Sequence, residues 1–578
     1  MQFSRIGRFK PIFLRNRLHN NHYVTNTKPE LADGNPRTTP QEVIAPKIST
    51  VNPRNEQPRL IDVGFNTSPL TNKNVDPFHH VVNLDSVPKY DPSQYLSFDA
   101  MPGPKLVRYC AKLWNIIPLT RNQDRSIKQV LRADYLYGYL NWYNSIPLFK
   151  RMVQEYGAVL RIQGPFGGDL VIMLLLEDAI KLSQKEGPHP IRFCFHSLRH
   201  YRLKNKQYQH PGPFFSCGVE WKKMRDILDG TLQVVVPRQI ATVKNASKEF
   251  VQRIAQIRNR QDEVPITFNT EIDKWSLECV CALLFNKRCG FLETSSLSAS
   301  SESDRILGAV TGLIDAIRRC EFGVPLWKLM GTPAWKKLVM HSDTLESAVN
   351  KYVSKAKESL RQTKPAPEKE SFLEMLLTNE NVSTENALTT LLDMLLIGVH
   401  SLSHAVGFLL YHLSINPNVQ KKLYKEVCAE EDLQKMSFMR VCIRESLRLK
   451  QPIPVLNRVL AKDTIIRNYY VPKGTSVLIS TQLYGIKQEY FENALQFKPD
   501  RWLNDEMKLG GYDLNSLPYG VGGRACFAQQ LVEMQLSSLL AEIIRKYRVE
   551  YHYGVIKSTS TMLAAPNGPL RFTFIDRE

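Results

Sequence analysis

The chain has 578 residues, 76 Lys and Arg against 56 Asp and Glu, and 43% hydrophobic residues. It can bury a large core, which excludes a disordered or collagen-like polymer. The formal net charge of +20 suits an acidic protein partner or anionic lipid, and with no reading motif beside it nucleic acid is set aside.

The ten cysteines stand singly, without a paired CxxC, against a disulfide scaffold or zinc ribbon and in favour of a reducing compartment. No uncharged apolar run approaches the roughly 18–20 residues of a spanning helix, so no helical crossing of a bilayer is expected. Residues 1–29 carry Arg5, Arg8, Lys10, Arg15, Arg17 and Lys28 among Phe3, Ile6, Phe9, Ile12, Phe13 and Leu18, and no acid. That is the make-up of a cleavable mitochondrial presequence, although a disordered basic tail has the same composition. Residues 30–99, rich in Pro and Asn, read as a flexible linker.

The body, residues 100–578, opens at Pro102-Gly103-Pro104-Lys105. Helical periodicity dominates it after about residue 220, over 267–285, 383–413, 419–428, 438–449 and 529–547. Short β-like runs at 158–161, 170–174, 465–466 and 476–479 are fewer. The expected fold class is mainly α with a minor β-sheet region.

The most informative stretch is Leu517-Pro518-Tyr519-Gly520-Val521-Gly522-Gly523-Arg524-Ala525-Cys526-Phe527-Ala528, which leads straight into the last long helix. Its three glycines permit a tight turn and close approach to a flat ligand, and Arg524 offers a cation to an anionic group. Cys526 precedes a helix N-terminus, a position that lowers a thiol pKa and yields a thiolate able to ligate iron. A buried, inert cysteine is the commoner origin of such a position taken alone.

This stretch resembles the haem-binding loop of the cytochrome P450 family, Phe-Gly-x-Gly-x-Arg-x-Cys-x-Gly, with Tyr519 for Phe and Ala528 for the last Gly. Upstream, Glu445 and Arg448 resemble the family's Glu-x-x-Arg pair, and Arg501 in Phe497-Lys498-Pro499-Asp500-Arg501-Trp502 resembles the arginine that completes its buried network. In isolation that pair would read as an exposed i, i+3 contact of small value. Trp221 and Arg225 in Trp221-Lys222-Lys223-Met224-Arg225 resemble the helix whose Trp and Arg reach the haem propionates, and Arg458 looks like a further propionate arginine. The resemblance covers nearly all of residues 100–578.

Lys274-Trp275-Ser276-Leu277-Glu278 followed by Asn286-Lys287-Arg288-Cys289-Gly290 resembles the mitochondrial class. Arg440 and Arg444 stand where such members carry two basic residues that dock a ferredoxin, although Gln529-Gln530 replaces the Arg-Arg that commonly follows the haem loop. The helix over 383–413 departs from the family: Ile397-Gly398-Val399-His400-Ser401 stands for (Ala/Gly)-Gly-x-(Asp/Glu)-Thr. Gly398 keeps the groove where oxygen would sit, Ser401 takes the place of Thr, and His400 replaces the acid, either as a proton relay or as a packing residue.

The resemblance implies a cytochrome P450 fold holding haem b, its iron axially ligated by the Cys526 thiolate, and hydroxylation of a lipophilic substrate with O2. Electrons would come from a mitochondrial ferredoxin and its NADPH-dependent reductase. A sterol or ecdysteroid precursor is the implied substrate class, and the matrix side of the inner membrane the implied location. Ile397, Val399, Pro454, Val455 and residues 562–565 are candidate pocket positions, with plain core as the alternative for each. The aromatics and lysines of residues 322–330 and of Trp335-Lys336-Lys337 suit a peripheral membrane contact, with buried helix packing as the alternative. Two rival readings are a haem-thiolate isomerase or dehydratase acting on a hydroperoxide, and a non-catalytic haem-binding sensor.

Overall fold

The structure, a computed structural model, describes residues 91–105, 108–109, 152, 154–163, 169–192, 195–292, 301–321, 326–362, 365–366, 368–503, 508–509, 512–513, 518–559 and 563–578. The expected presequence and most of the linker lie outside the described residues, as do 322–325 and Met562. The chain divides into two units, 1–73 and 74–578, and everything described belongs to the second. Residues 91–99, assigned to the linker by composition, pack on the body: Arg161 donates to Asp99 Oδ1 at 2.7 Å and to Phe98 O at 3.1 Å, with its guanidinium 3.8 Å from the centre of the Phe98 ring.

Strands β1 (Val159–Gln163) and β2 (Asp169–Met173) form an antiparallel hairpin and lead into α1 (Leu176–Lys185). A run of helices follows: α2 (Gly218–Arg238), α3 (Ile240–Ile257), α4 (Phe268–Phe285), α5 (Glu302–Glu321), α6 (Pro333–Gln362), α7 (Phe372–Thr378), α8 (Thr384–Ser414), α9 (Pro417–Ala429) and α10 (Ser437–Leu449). Strand β3 (Leu456–Val459), the hairpin β4 (Thr464–Ile466) and β5 (Tyr469–Val471), and β6 (Ser476–Ile479) come next. Helix α11 (Gln529–Lys546) then precedes the terminal pair β7 (Tyr547–Glu550) and β8 (Thr573–Asp576). The largest sheet has the order β1-β2-β6-β3, with β6 parallel to β2 and antiparallel to β3. The mainly α architecture with a minor sheet is thus the one expected, and the periodic segments coincide with α4, α8, α9, α10 and α11.

Helix α8 is the axis of the fold. Ser383 caps it by accepting from the Asn386 N–H at 3.0 Å. It is apolar on every side, which a helix can be only inside a core or a membrane. Its hydropathy of 1.6 over eighteen residues would suit a membrane span, contrary to the expectation that no such run exists. Because α4, α6 and α10 pack around it, 78% of that window is buried within the protein.

The stretch from Lys274 to Gly290 is structural. Trp275 is fully buried against Phe250. Asn286 closes α4 in the left-handed region at φ 49°. The buried Glu278 then caps the next turn, accepting from the N–H groups of Cys289 at 2.8 Å, Gly290 at 3.2 Å and Phe291 at 2.9 Å.

Candidate active site

The segment before α11 folds as its glycines require. Gly520 and Gly522 have φ of +94° and +71°, and a Cβ on Gly522 would stand 2.9 Å from Ser183 Cβ. The Cys526 N–H donates to Tyr519 O at 2.8 Å, closing the loop that presents the thiol, while Tyr519 lines the same cavity. Burial pushes the Cys526 thiol up, outweighing the Ala528 N–H and the Arg225 charge, which pull it down. A metal cation on the sulfur would act the other way, taking the place of the proton.

Between this loop and α8 lies a cavity of about 250 Å³. Cys526 and Phe527 line it from the loop, and Ile397, Gly398 and Ser401 from α8. A methyl on Gly398 would meet only Val280 Cγ2, at 3.6 Å, so the glycine keeps the helix surface low without being demanded by packing. Ser401 Oγ donates to Gly398 O at 3.2 Å, within the helix.

His400 lies elsewhere. One residue away on a helix is a rotation of about 100°, and its ring is buried between α4 and α5, with Nδ1 3.2 Å from Asp273 Oδ1 and Nε2 2.9 Å from Thr311 Oγ1. It does not line the cavity, so its expected catalytic role is corrected to packing. Of the other expected pocket positions, Val399, Leu563 and Ala564 are core, and Ala565 is half-buried and does not line the cavity. Pro452, Ile453 and Leu456 line the cavity where Pro454 and Val455 were expected to.

A cluster of cations borders the loop. Arg524 lies over the Trp221 ring at 3.7 Å and donates to Pro190 O at 3.1 Å and Ser216 O at 2.9 Å. Its Nη1 is buried without a hydrogen-bond partner, and burial, aggravated by Arg192 and Arg458, pulls the guanidinium down to about 8. An anion seated there would satisfy the orphan donor and remove that penalty. Arg225 is less available than expected, since its Nε is held by Asp229 at 2.7 Å and its Nη1 donates to Ala525 O at 2.8 Å. Arg458 is buried, donates to Val521 O at 2.8 Å, and pairs with Glu186 Oε1 at 2.7 Å. The donor set, a buried guanidinium with one nitrogen left without a partner beside a thiol and an apolar cavity, fits a flat dianionic group such as haem.

Sequence reading missed Glu186 and Arg192. Glu186, whose carboxyl burial raises despite Arg458 and Arg524, follows α1 with no motif to mark it. Arg192 stands on the cavity wall three residues beyond His189.

Behind the site Glu445 and Arg448 form a buried pair, not an exposed one. Glu445 and Arg448 are both fully buried on α10. Glu445 accepts from Arg448 Nη2 at 2.7 Å and Nε at 2.8 Å, Arg501 Nε at 3.1 Å, Trp502 Nε1 at 2.8 Å and the Lys498 N–H at 2.9 Å. Arg448 also donates to Ala494 O at 2.7 Å, tying α10 to the segment that carries Arg501. Arg440 is exposed and Arg444 half-buried on the same helix. Of the expected membrane aromatics, Trp327 is buried, stacked on Trp335 at 5.0 Å and donating to Cys320 O at 3.1 Å, so it is packing. Leu326, Leu329, Met330 and Met340 nearby are exposed.

The chain belongs to the cytochrome P450 family, whose model matches residues 132–574, and it is a monooxygenase of the mitochondrial type. It is 27% identical over 556 residues to probable cytochrome P450 301a1, mitochondrial, of Drosophila melanogaster, covering 91% of this chain and 95% of that protein. The mitochondrial 1,25-dihydroxyvitamin D(3) 24-hydroxylase of Mus musculus is 28% identical over 68% of this chain and 77% of its own length. Cytochrome P450 302a1, mitochondrial, of Drosophila melanogaster is 28% identical over 78% and 89%.

Proposed function

We propose that this chain hydroxylates a lipophilic, sterol-class substrate in the mitochondrial matrix, with haem b held by the Cys526 thiolate and electrons delivered by a ferredoxin. The observation that carries the reading is the convergence on one apolar cavity of Cys526, the Gly398–Ser401 turn of α8 and the under-satisfied Arg524. Arg524, Arg458, Trp221 and Arg225 would hold the carboxylates of the haem, and its thiolate-bound iron supplies oxygen activation.

The protein's part is binding, exclusion of water and placement of a proton. Leu228, Val280, Leu283 and Leu531 present an apolar wall that favours a hydrocarbon skeleton over water. Ser401 holds a proton at its Oγ on the cavity side of α8, and with His400 turned away no ionisable side chain of the Ile397–Ser401 turn faces the cavity. Exposed apolar residues beside Lys336 and Lys337 support a peripheral contact with the membrane from which such a substrate is drawn. The relatives named for mitochondria, one of them for a vitamin D hydroxylase, support the compartment and substrate class.

The decisive experiment is the absorbance of the ferrous–CO protein. Thiolate ligation gives a strongly red-shifted Soret band, which Cys526→Ser should abolish; an unchanged band in the variant refutes the assignment of Cys526.

A further inference from the structure

Helix α8 carries a carboxylate that the chemistry above does not use. Asp393 lies one turn before Ile397 and is fully buried. Its Oδ1 accepts from Arg202 Nη1 at 2.7 Å and its Oδ2 from the Phe214 N–H at 3.1 Å. Arg202, itself buried in a π-helical turn over Tyr201–Asn205, donates to Pro211 O at 2.7 Å and sits 5.2 Å from the centre of the Phe215 ring. Gly212 closes over the pair at φ +94°: a Cβ there would come 2.6 Å from Arg202 Nη1 and 2.8 Å from Asp393 Oδ2. Two turns earlier, Glu385 Oε1 accepts from the N–H groups of Gln209 at 2.7 Å and His210 at 3.2 Å. A spacing of eight places both acids on one face of α8. The loop 207–216 is therefore pinned along the helix by its own backbone donors.

That loop is cavity wall. Pro213 and Phe214 line the cavity, and the Phe214 ring meets Phe527, the neighbour of Cys526, edge-on at 6.0 Å. Arg192 Nε donates to Phe214 O at 3.0 Å, and Arg524 Nη2 to Ser216 O at 2.9 Å. A buried ion pair adds little stability over well-packed apolar residues, because desolvation offsets the attraction. What it does fix is geometry, here the height of the Phe214 segment against α8.

We propose that Asp393 is a positioning residue for substrate: by gripping Arg202 and the Phe214 N–H it holds residues 207–216 against α8 and limits the size of molecule that enters the cavity. The proposal rests on the haem-thiolate reading of that cavity. In Asp393→Asn the amide has one acceptor oxygen and turns its NH2 towards the second donor, so one of the two bonds is lost. Asp393→Asn/Arg202→Gln removes both charges together and leaves none buried unpaired, which keeps a foldable variant in hand.

The test uses the holoprotein with imidazole and 4-phenylimidazole as iron-binding probes, their absorbance changes followed after rapid mixing, and amide hydrogen exchange read on the same samples. The expected result is a 4-phenylimidazole association rate raised roughly fivefold or more in both variants, with imidazole changed by less than about twofold, because only the larger probe needs the wall to move. Exchange over 207–216 should accelerate while α4 keeps its protection. Equal changes for the two probes, or unaltered exchange over 207–216, overturn the proposal. A wild-type protein without the thiolate-type CO band would instead overturn the reading of the cavity, whatever the loop does.

Discussion

Replacing Glu445 by Gln tests the network on which the site is built. The change is nearly isosteric and removes one charge from a position with no exposure to water. Oε1 serves Arg448 Nη2, Arg501 Nε and the Lys498 N–H, while Oε2 serves Arg448 Nε and Trp502 Nε1. If the glutamine oxygen keeps the first set, its NH2 confronts the two donors of the second. Each bond lost involves a charged partner and contributes about 1.5–3 kcal/mol. Two of them, with a guanidinium left short of a counter-charge, bring the cost to about 3–5 kcal/mol. Urea unfolding followed by tryptophan fluorescence, with haem absorbance in parallel, measures it. Arg319→Gln, which breaks an exposed pair with Asp315 at 2.6 Å, should cost less than about 1 kcal/mol in the same assay. A Glu445→Gln loss as small as that of Arg319→Gln would refute the argument that this network holds α10 to the segment behind the site.

Ser401→Ala should uncouple electron uptake from product and raise peroxide release, whereas His400→Ala should lower stability and leave coupling alone; a coupling loss in His400→Ala would return that ring to the cavity. Reversing the charges at Arg440 and Arg444 should weaken ferredoxin-supported turnover at low ionic strength, with the defect shrinking as salt rises and haem content unchanged; identical salt profiles would move the ferredoxin site off this face. Burial pulls the His412 ring, bonded to Ser446 Oγ at 2.9 Å, down to about 3. It is neutral when folded and binds a proton below about 6.5 when unfolded, so its stabilising share is complete above that pH and is lost towards 3 at about 1.4 kcal/mol per pH unit. His412→Gln should therefore flatten the stability profile between about pH 6.5 and 5, and an unchanged slope would sink the assignment.

The segment from Tyr519 to Cys526 was legible because it is local: glycines at positive φ and a cysteine at a helix start are constraints that neighbours in sequence impose on each other. The helices and strands were legible for the same reason, periodicity being a property of a dozen consecutive residues. Resemblance to the family's motifs pointed to Glu445, Arg448 and Arg501, although nothing in the i, i+3 pattern itself says whether the pair is buried or exposed.

What the sequence left open is what distant segments decide together. His400 and Ser401 are adjacent in the chain, and only the packing of α4 and α5 against α8 sends one ring into the core and leaves the other side chain at the cavity. Burial by the whole fold raises the Cys526 thiol against the pull of the loop's own Ala528 N–H, a balance that no local stretch reveals. Glu186 and Asp393 were invisible as functional candidates because a lone acid carries no spacing; Asp393 acquires its meaning from Arg202, 191 residues away. The sequence by itself determined the elements and the identity of the chemical loop, since both are encoded over short stretches. The tertiary structure decided which side chains lose water and which charges meet, because burial and electrostatics depend on distances in space that no interval along the chain specifies.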